Sequence, residues 1–409
     1  MSYTIYYYIL IISLCCNSGF AKTTGTPNAL PALSCSLFKA YPGLVQKKHK
    51  PSLTRIAHVS LGTFPTPIQK LRVLGAAVGA SHLYVKRDDL SGDLFAGNKV
   101  RKLEFLFGHA LACKAQGVLT QGFAGSNHTC ATAVYAKTLG LHCSCLHLPQ
   151  PPTSYARRNL LLSHLYGADL TIYPTVARRD TGIYEKNRAF KRRTNQPLYF
   201  IPSGGSNEIG TLGFVNAMFE LKEQIAAGVM PEPEFIYVAL GSCATTAGML
   251  LGVKAAGLKA KIIGVCIEPD IPQGAHVEKI KKLFLGANTI LHNADSTFKR
   301  YELEPDNIII NHDFVGEDYA IISKDAHAAI TLMAQTEGIN LDGTYTGKAC
   351  AAMLHDIVKK DLSSNVILFW DSFSPGNYAD VINHVDYKDL PPAYHHYFIA
   401  QLQDLDQGV

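Results

Sequence analysis

The sequence predicts an α/β protein of two three-layer domains, each built on a largely parallel sheet, with a ligand cleft between them. Three observations carry this. Strand-like and helix-like periodicities alternate from residue 83 onward. Helical runs stop at glycines (Gly117, Gly140, Gly167) just before the next apolar strand. The alternation occurs as two βα series, separated by the basic stretch from Arg178 to Asn195, and such a rhythm implies parallel strands covered on both faces.

The elements follow in order. Leu83 to Val85 is strand-like, and Arg101 to Ala115 places Leu103, Leu106, Phe107, Ala110 and Leu111 at helical spacing. Val118 to Thr120 is a short strand, Asn127 to Leu139 a helix, Cys143 to Leu148 a strand, Arg157 to Tyr166 a helix and Leu170 to Tyr173 a strand. Arg178 to Asn195 reads as an exposed helix or loop, followed by Tyr199-Phe200-Ile201-Pro202 and a turn rich in Gly and Ser. The second series has strand Phe235 to Leu240, helix Thr245 to Ala256 and strand Lys261 to Ile267. Helices over Ser323 to Thr336 and Lys348 to Val358 precede a last strand, Val366 to Trp370. In such sheets ligands bind beyond the carboxyl ends of the strands and at domain interfaces.

Composition bounds the function. The 409 residues are 47% hydrophobic and 17% charged, which supports large cores and excludes a disordered or coiled-coil chain. The net charge of +5 is mild, and the basic clusters Lys191-Arg192-Arg193 and Lys279 with Lys281-Lys282 lack interleaved aromatics. They read as solvated faces, so no nucleic-acid partner is expected. Of ten cysteines, Cys113, Cys130, Cys243, Cys266 and Cys350 fall in apolar patterns without CxxC or zinc-like spacing. They read as core thiols, and no metal site is expected. Cys143 and Cys145 share one face of a strand; burial is the ordinary reading and a metal pair the alternative. Residues 5–21 resemble a secretory signal, with an apolar run and Gly19-Phe20-Ala21 as a small-residue cleavage site, but lack a basic n-region. Export and a non-structural leader both stay open, and residues 22 to about 50 read as a linker.

Four segments carry chemistry. Lys86 to Leu90 is followed by Ala96-Gly97-Asn98-Lys99-Val100-Arg101-Lys102. Gly97-Asn98 permits a tight turn, and Lys99 stands just before a helix, where burial and nearby cations would lower its pKa as a Schiff-base lysine requires. Arg101 and Lys102 are the candidate cations; a basic helix start on the surface is the alternative, although positive charge there is unfavourable. Gly125-Ser126-Asn127-His128-Thr129 lies between strand and helix and suits a carboxylate or phosphate, while spacing alone favours plain N-caps. Gly241-Ser242-Cys243-Ala244-Thr245-Thr246 also joins strand to helix. It lacks the Gly-Lys-Ser/Thr of nucleotide hydrolases and suits one terminal phosphate. In Asp342-Gly343-Thr344-Tyr345-Thr346-Gly347-Lys348, Tyr345 is an acid/base candidate or a core tyrosine.

Together these segments resemble the family of D-cysteine desulfhydrase and 1-aminocyclopropane-1-carboxylate (ACC) deaminase, which are fold-type-II (tryptophan synthase β-like) pyridoxal-5'-phosphate (PLP) enzymes. The likeness runs from about Pro65 to Tyr378. Its marks are Gly97-Asn98-Lys99-x-Arg101-Lys102-Leu103-Glu104-Phe105, Ser126-Asn127-His128, Ile201 to Asn207 with Gly210, Leu212, Gly213 and Phe214, Gly241 to Thr246, and Asp342 to Lys348.

The resemblance implies a large cofactor domain from 51–101 and 212–409, a small domain over 102–211, and PLP in the cleft between them. It implies that Lys99 holds PLP as a Schiff base and moves the Cα proton, that Asn127 bonds the cofactor's 3' oxygen, and that Ser126 and nearby amides bind the substrate carboxylate. Gly241, Ser242, Cys243, Ala244, Thr245 and Thr246 would hold the phosphate, with Tyr345 and Tyr319 near the reacting carbon. A homodimer, a small amino-acid substrate and a cytoplasmic location are implied too.

Thr346, where ACC deaminases carry glutamate at the pyridine nitrogen, and Ser372, where they carry leucine, point to α,β-elimination from D-cysteine, giving pyruvate, sulfide and ammonia. A hydroxyl leaves the pyridine nitrogen neutral, a weaker electron sink that suffices for a thiolate leaving group. ACC deamination or another small D-amino-acid lyase is the alternative. A non-catalytic two-lobed solute-binding protein is the reading from a different class. Departures are Asp371-Ser372-Phe373-Ser374 in place of His-Thr-Gly-Gly, Gly125 in place of Gln, and Cys243 and Ala244 in place of glycines.

Overall fold

A computed structural model describes residues 56–376 and 378–406. The leader, its signal-like residues 5–21 and most of the linker lie outside the described residues. Among the described residues, ten strands form two sheets. The larger contains β1 (Ile68–Lys70), β2 (Leu83–Arg87), β7 (Phe235–Leu240), β8 (Lys261–Cys266), β9 (Ile309–Asn311) and β10 (Ile367–Asp371), in the order β1-β2-β10-β7-β8-β9. Only β1 runs antiparallel to its neighbour. The smaller sheet, β5-β4-β3-β6, is fully parallel and comprises β3 (Gly117–Phe123), β4 (His142–Leu148), β5 (Asp169–Ile172) and β6 (Tyr199–Ile201).

In the larger sheet Leu83 pairs with Ile367 and Arg87 with Asp371. Chain segments flanking the smaller sheet in sequence are thereby stitched into one layer. Because β2, β7 and β10 are parallel, the segments leading to Lys99, Gly241 and Ser372 leave the sheet at the same end. That common exit is what assembles the site.

Helices cover the sheets: α1 (Arg72–Val78), α2 (Lys99–Ala112), α3 (Asn127–Thr138), α4 (Ser154–Leu165), α5 (Val176–Thr194), α6 (Glu208–Ala226), α7 (Ala244–Ala256), α8 (Gln273–Ala294), α9 (Lys324–Glu337), α10 (Thr346–Lys359) and the short α11 (Ala379–Ile382) and α12 (His396–Ile399). The stretch read as helix or loop is the long helix α5. It buries Arg179, Gly182, Ile183 and Phe190 and leaves Lys191, Arg192 and Arg193 exposed in its last turn, where cations suit the helix dipole. Its C-cap, Asn195, takes a left-handed conformation.

The sequence reading did not resolve α1, β9, α6 or α8. Within α6, Gly210 and Gly213, marks of the resemblance, are sites of close approach: a Cβ on Gly213 would lie 2.2 Å from the Arg101 carbonyl oxygen, and one on Gly210 2.0 Å from that of Gly205. These glycines let α6 press against α2 from within the core, where a helix is apolar on most faces and loses its one-sided pattern. In α8, Ile280, Phe284, Ala287 and Leu291 do form a buried stripe, interrupted in the sequence by the basic residues at 279–282. Among the described residues, no helix is long and apolar enough to cross a membrane.

Candidate active site

Lys99 opens α2. Its approach is fixed by Gly97, whose φ of +91° and lack of a side chain let the backbone pass the 372–373 turn. A Cβ there would sit 2.8 Å from the carbonyl oxygens of both Ser372 and Phe373. The Asn98 amide donates to Ser372 O at 3.2 Å, and the Ala96 amide to Ser374 Oγ at 3.2 Å. The departure from His-Thr-Gly-Gly at 371–374 is thus matched by contacts to the lysine loop itself. Gly97→Ala is expected to lower the melting temperature and weaken cofactor retention together; retention of both would show that the loop tolerates the clash.

The Lys99 Nζ donates to Asn98 Oδ1 at 2.8 Å and lies 5.8 Å from the centre of the Tyr345 ring. Burial lowers its pKa to about 8, against an opposing pull from Asp342. Arg101 is not the cause: it turns into a buried network with Asp88 and Glu220, which is the reason a cation stands in this helix turn. Lys102 does lie beside Lys99, and burial followed by Lys99 drives its own pKa well down.

A folded lysine at about 8 binds fewer protons than its unfolded counterpart at 10.5, so this group makes the fold more stable as pH rises between those values. Competitive acetylation of cofactor-free protein, read by peptide mass spectrometry, should show Lys99 half-reactive near pH 8. A midpoint near 10.5 would contradict the burial.

Across the cleft, Ser126 caps α3. Its Oγ accepts from the amides of His128 and Thr129 at 3.2 and 3.4 Å and keeps its own proton free to donate. Cap and candidate ligand are therefore compatible readings. Asn127 Oδ1 accepts from Asn159 Nδ2 at 2.8 Å, which leaves the Asn127 amide group as a donor. Gly125 packs against α4: a Cβ would lie 2.6 Å from that of Ala156, and its backbone is held by Gln150 and Asn159. A glutamine at 125 would not fit.

The loop after β7 turns at Cys243, whose φ of +76° is a conformation natural to glycine. Cysteine thus stands in a conformation that the family's glycine would adopt without strain. No side chain caps α7, so its first amides are available to an anion. The Thr246 hydroxyl is buried without a partner among the described residues, and Ser242 Oγ accepts from Ser206 at 2.7 Å while its own proton stays free. Donors without acceptors beside a lysine of lowered pKa fit the phosphate and aldehyde ends of PLP.

Tyr345 and Tyr319 meet hydroxyl to hydroxyl at 2.6 Å. Burial drives both pKa values well above 10, so both are protonated at neutral pH. One proton bridges the pair and the other remains available to a ligand. Phe123 stacks on Tyr319 at 4.0 Å, and the Asp342 carboxylate accepts from the amides of Thr344 and Tyr345, at 2.8 and 2.6 Å. Thr346 serves this cap as well: its hydroxyl donates to Asp342 Oδ2 at 2.9 Å and accepts from the Asp342 amide at 2.8 Å.

A cleft of ≈ 350 Å³ brings Lys99, Ser126, Gly241, Ser242, Cys243, Thr245, Thr246, Tyr319, Tyr345 and Ser372 together. Asn127, Ala244 and Thr346 are adjacent in sequence to lining residues but do not themselves line it. Lys102 and His128, both in segments singled out from the sequence, also line it, as do Glu268, His276 and Lys279, the last read as a solvated cation. Sequence reasoning missed Glu268, His276 and Lys279 as site residues; α8 and the segment before it bring them in. Cys143 and Cys145 are buried free thiols, with sulfurs 3.6 Å apart.

Comparison with known proteins agrees with this geometry. The family model for pyridoxal-phosphate dependent enzymes matches residues 59–371. The chain is 32% identical over 314 residues to a D-cysteine desulfhydrase of Klebsiella pneumoniae, covering 76% of this chain and 91% of that one. It is 31% identical over 306 residues to a putative 1-aminocyclopropane-1-carboxylate deaminase of Thermotoga maritima, covering 72% and 90%. The crystal structure of an ACC deaminase homologue superposes with a TM-score of 0.70 at 29% identity, over 84% of this chain and 99% of that one. Membership answers the solute-receptor reading in favour of an enzyme: the chain belongs to the family of pyridoxal-phosphate-dependent enzymes.

Proposed function

We propose that the protein eliminates sulfide from D-cysteine, yielding pyruvate and ammonia after hydrolysis. The observation that carries this reading is the cleft itself. A lysine of lowered pKa, a protonated tyrosine pair and an anion cradle face one small volume, and Ser372 is among the residues that line it.

PLP, when bound, supplies the electron sink that acidifies the substrate Cα–H. The chain's residues do the rest. Gly241 to Thr246 take the phosphate through the first amides of α7 and the hydroxyls of Ser242 and Thr246. Asn127, its oxygen held by Asn159, would donate to the cofactor's 3' oxygen. The Ser126 hydroxyl and the Asn127 amide beside it would take the substrate carboxylate, since the His128 and Thr129 amides already donate to Ser126 Oγ. Lys99, neutral for part of the time near pH 8, removes the Cα proton. The Tyr319–Tyr345 pair donates its unshared proton to the departing sulfur.

The subfamily argument narrows to one residue. Thr346 spends its hydroxyl within the α10 cap, so of the two candidate hydroxyls Ser372 would be the one to face the ring nitrogen. A neutral ring nitrogen suffices for a thiolate leaving group and serves the opening of a cyclopropane poorly. The test is product formation by PLP-loaded protein given D-cysteine and ACC in parallel. The reading expects sulfide and pyruvate from D-cysteine and no 2-oxobutyrate from ACC. The reverse pattern would overturn it.

A further inference from the structure

Cys266, His276 and His312 are remote in sequence, yet one ligand atom of each lies within 4.8 Å of the others. The fold explains the meeting. β8 and β9 pair in parallel with Val265 opposite Asn311, so the next rung sets Cys266 beside His312. His276, near the start of α8, closes over them.

The imidazole of His276 is 1% exposed, and neither of its nitrogens has a hydrogen-bond partner among the described residues. Nε2 of His312 is likewise buried and unpaired. Buried polar atoms are nearly always satisfied, so three unpaired nitrogens beside one thiol call for a partner. The thiol's own contact is a weak one, to the Glu268 carbonyl oxygen at 3.4 Å.

The geometry points to a site for a zinc-class divalent metal, held by the Cys266 thiolate, His276 and His312. Two imidazoles and a thiolate suit Zn²⁺ or Co²⁺ and offer Mg²⁺ or Ca²⁺ none of the oxygen ligands they require. Metal–ligand bonds of ~2.0–2.3 Å place tetrahedral ligand atoms ~3.5 Å apart, which the three side chains reach by small rotations. On binding, a metal–sulfur bond forms, the S–H bond breaks, and the proton passes to solvent without change of oxidation state. Three protein ligands leave a fourth position for water. Because α8 walls the cleft, the metal would pin that wall to the end of β8. The site is independent of the substrate reading above.

The test is titration of the metal-free, PLP-loaded enzyme with Co²⁺, following the d–d bands that lie to the red of the cofactor's absorption. One equivalent should produce the intense bands of a tetrahedral site. Cys266→Ser and His312→Asn should each weaken binding by ~100-fold or more, since even outer-shell changes cost 10–100-fold. Cys113→Ser, at the exposed thiol 3.7 Å from His109, should leave the bands unchanged. Should Cys266→Ser fail to fold, His312→Asn decides, with retained cofactor absorbance as its control. Absence of the bands in the unmodified enzyme, or their persistence in both ligand variants, overturns the site.

Discussion

Replacing Lys99 with alanine is expected to abolish covalent cofactor retention and to lower turnover by ~10³-fold or more, in the range of a lost proton-transfer group combined with a lost covalent anchor. The fold should survive, because the Lys99 side chain contributes one hydrogen bond, to its neighbour Asn98, and no ion pair. Lys102 cannot substitute. Its Nζ donates to the Gly204 carbonyl oxygen at 3.1 Å, and it lies one helical turn further into the core. Turnover of D-cysteine and circular dichroism, measured together, separate a lost base from a lost fold. An external primary amine should restore part of the activity to Lys99→Ala, a rescue that a purely structural lysine would not show.

The second large effect lies beneath the site. Glu220 of α6 holds Arg101 at 2.8 Å and also binds Lys86, while Asp88 holds Arg101 at 2.7 Å and accepts from Trp370 Nε1 at 2.7 Å. The members are nearly solvent-free, so removing one leaves a buried charge without its partner. Glu220→Ala should cost about 3–5 kcal/mol, a fall of roughly 5–10 °C in melting temperature. Burial raises the Glu220 pKa, but Arg101 and Lys86 outweigh it and bring the group down to about 2 from 4.5. The stability it contributes is therefore complete above pH 4.5 and is lost as pH falls toward 2. Glu220→Gln should flatten that acid limb of the stability curve. An unchanged limb would mean that the network is not what acid disrupts.

Sequence and structure agree where chemistry is local. The alternation that predicts parallel sheets is a property of short windows, as are the strand-to-helix turns at Ser126 and Gly241. Cooperation across the chain was not legible. Arg101 reads as a candidate neighbour of Lys99 because the two are adjacent in sequence, yet one helical step turns it into the Asp88–Glu220 network. Thr346 reads as a cofactor contact by its place in a motif, yet its hydroxyl closes a cap with Asp342. The glycines of α6 stand in the sequence as marks of the resemblance, and their packing role emerges only when Arg101 is placed against Gly213. Cys266, His276 and His312 have no regular spacing because three separate elements deliver them.

The central claim is that Lys99 carries the cofactor. Borohydride reduction of the PLP-loaded enzyme, followed by proteolysis and peptide mass spectrometry, tests it directly. The account predicts a single pyridoxyl adduct on the peptide bearing Lys99. An adduct on Lys102, the other buried lysine of the cleft with a depressed pKa, would contradict it and move the catalytic centre one turn along α2.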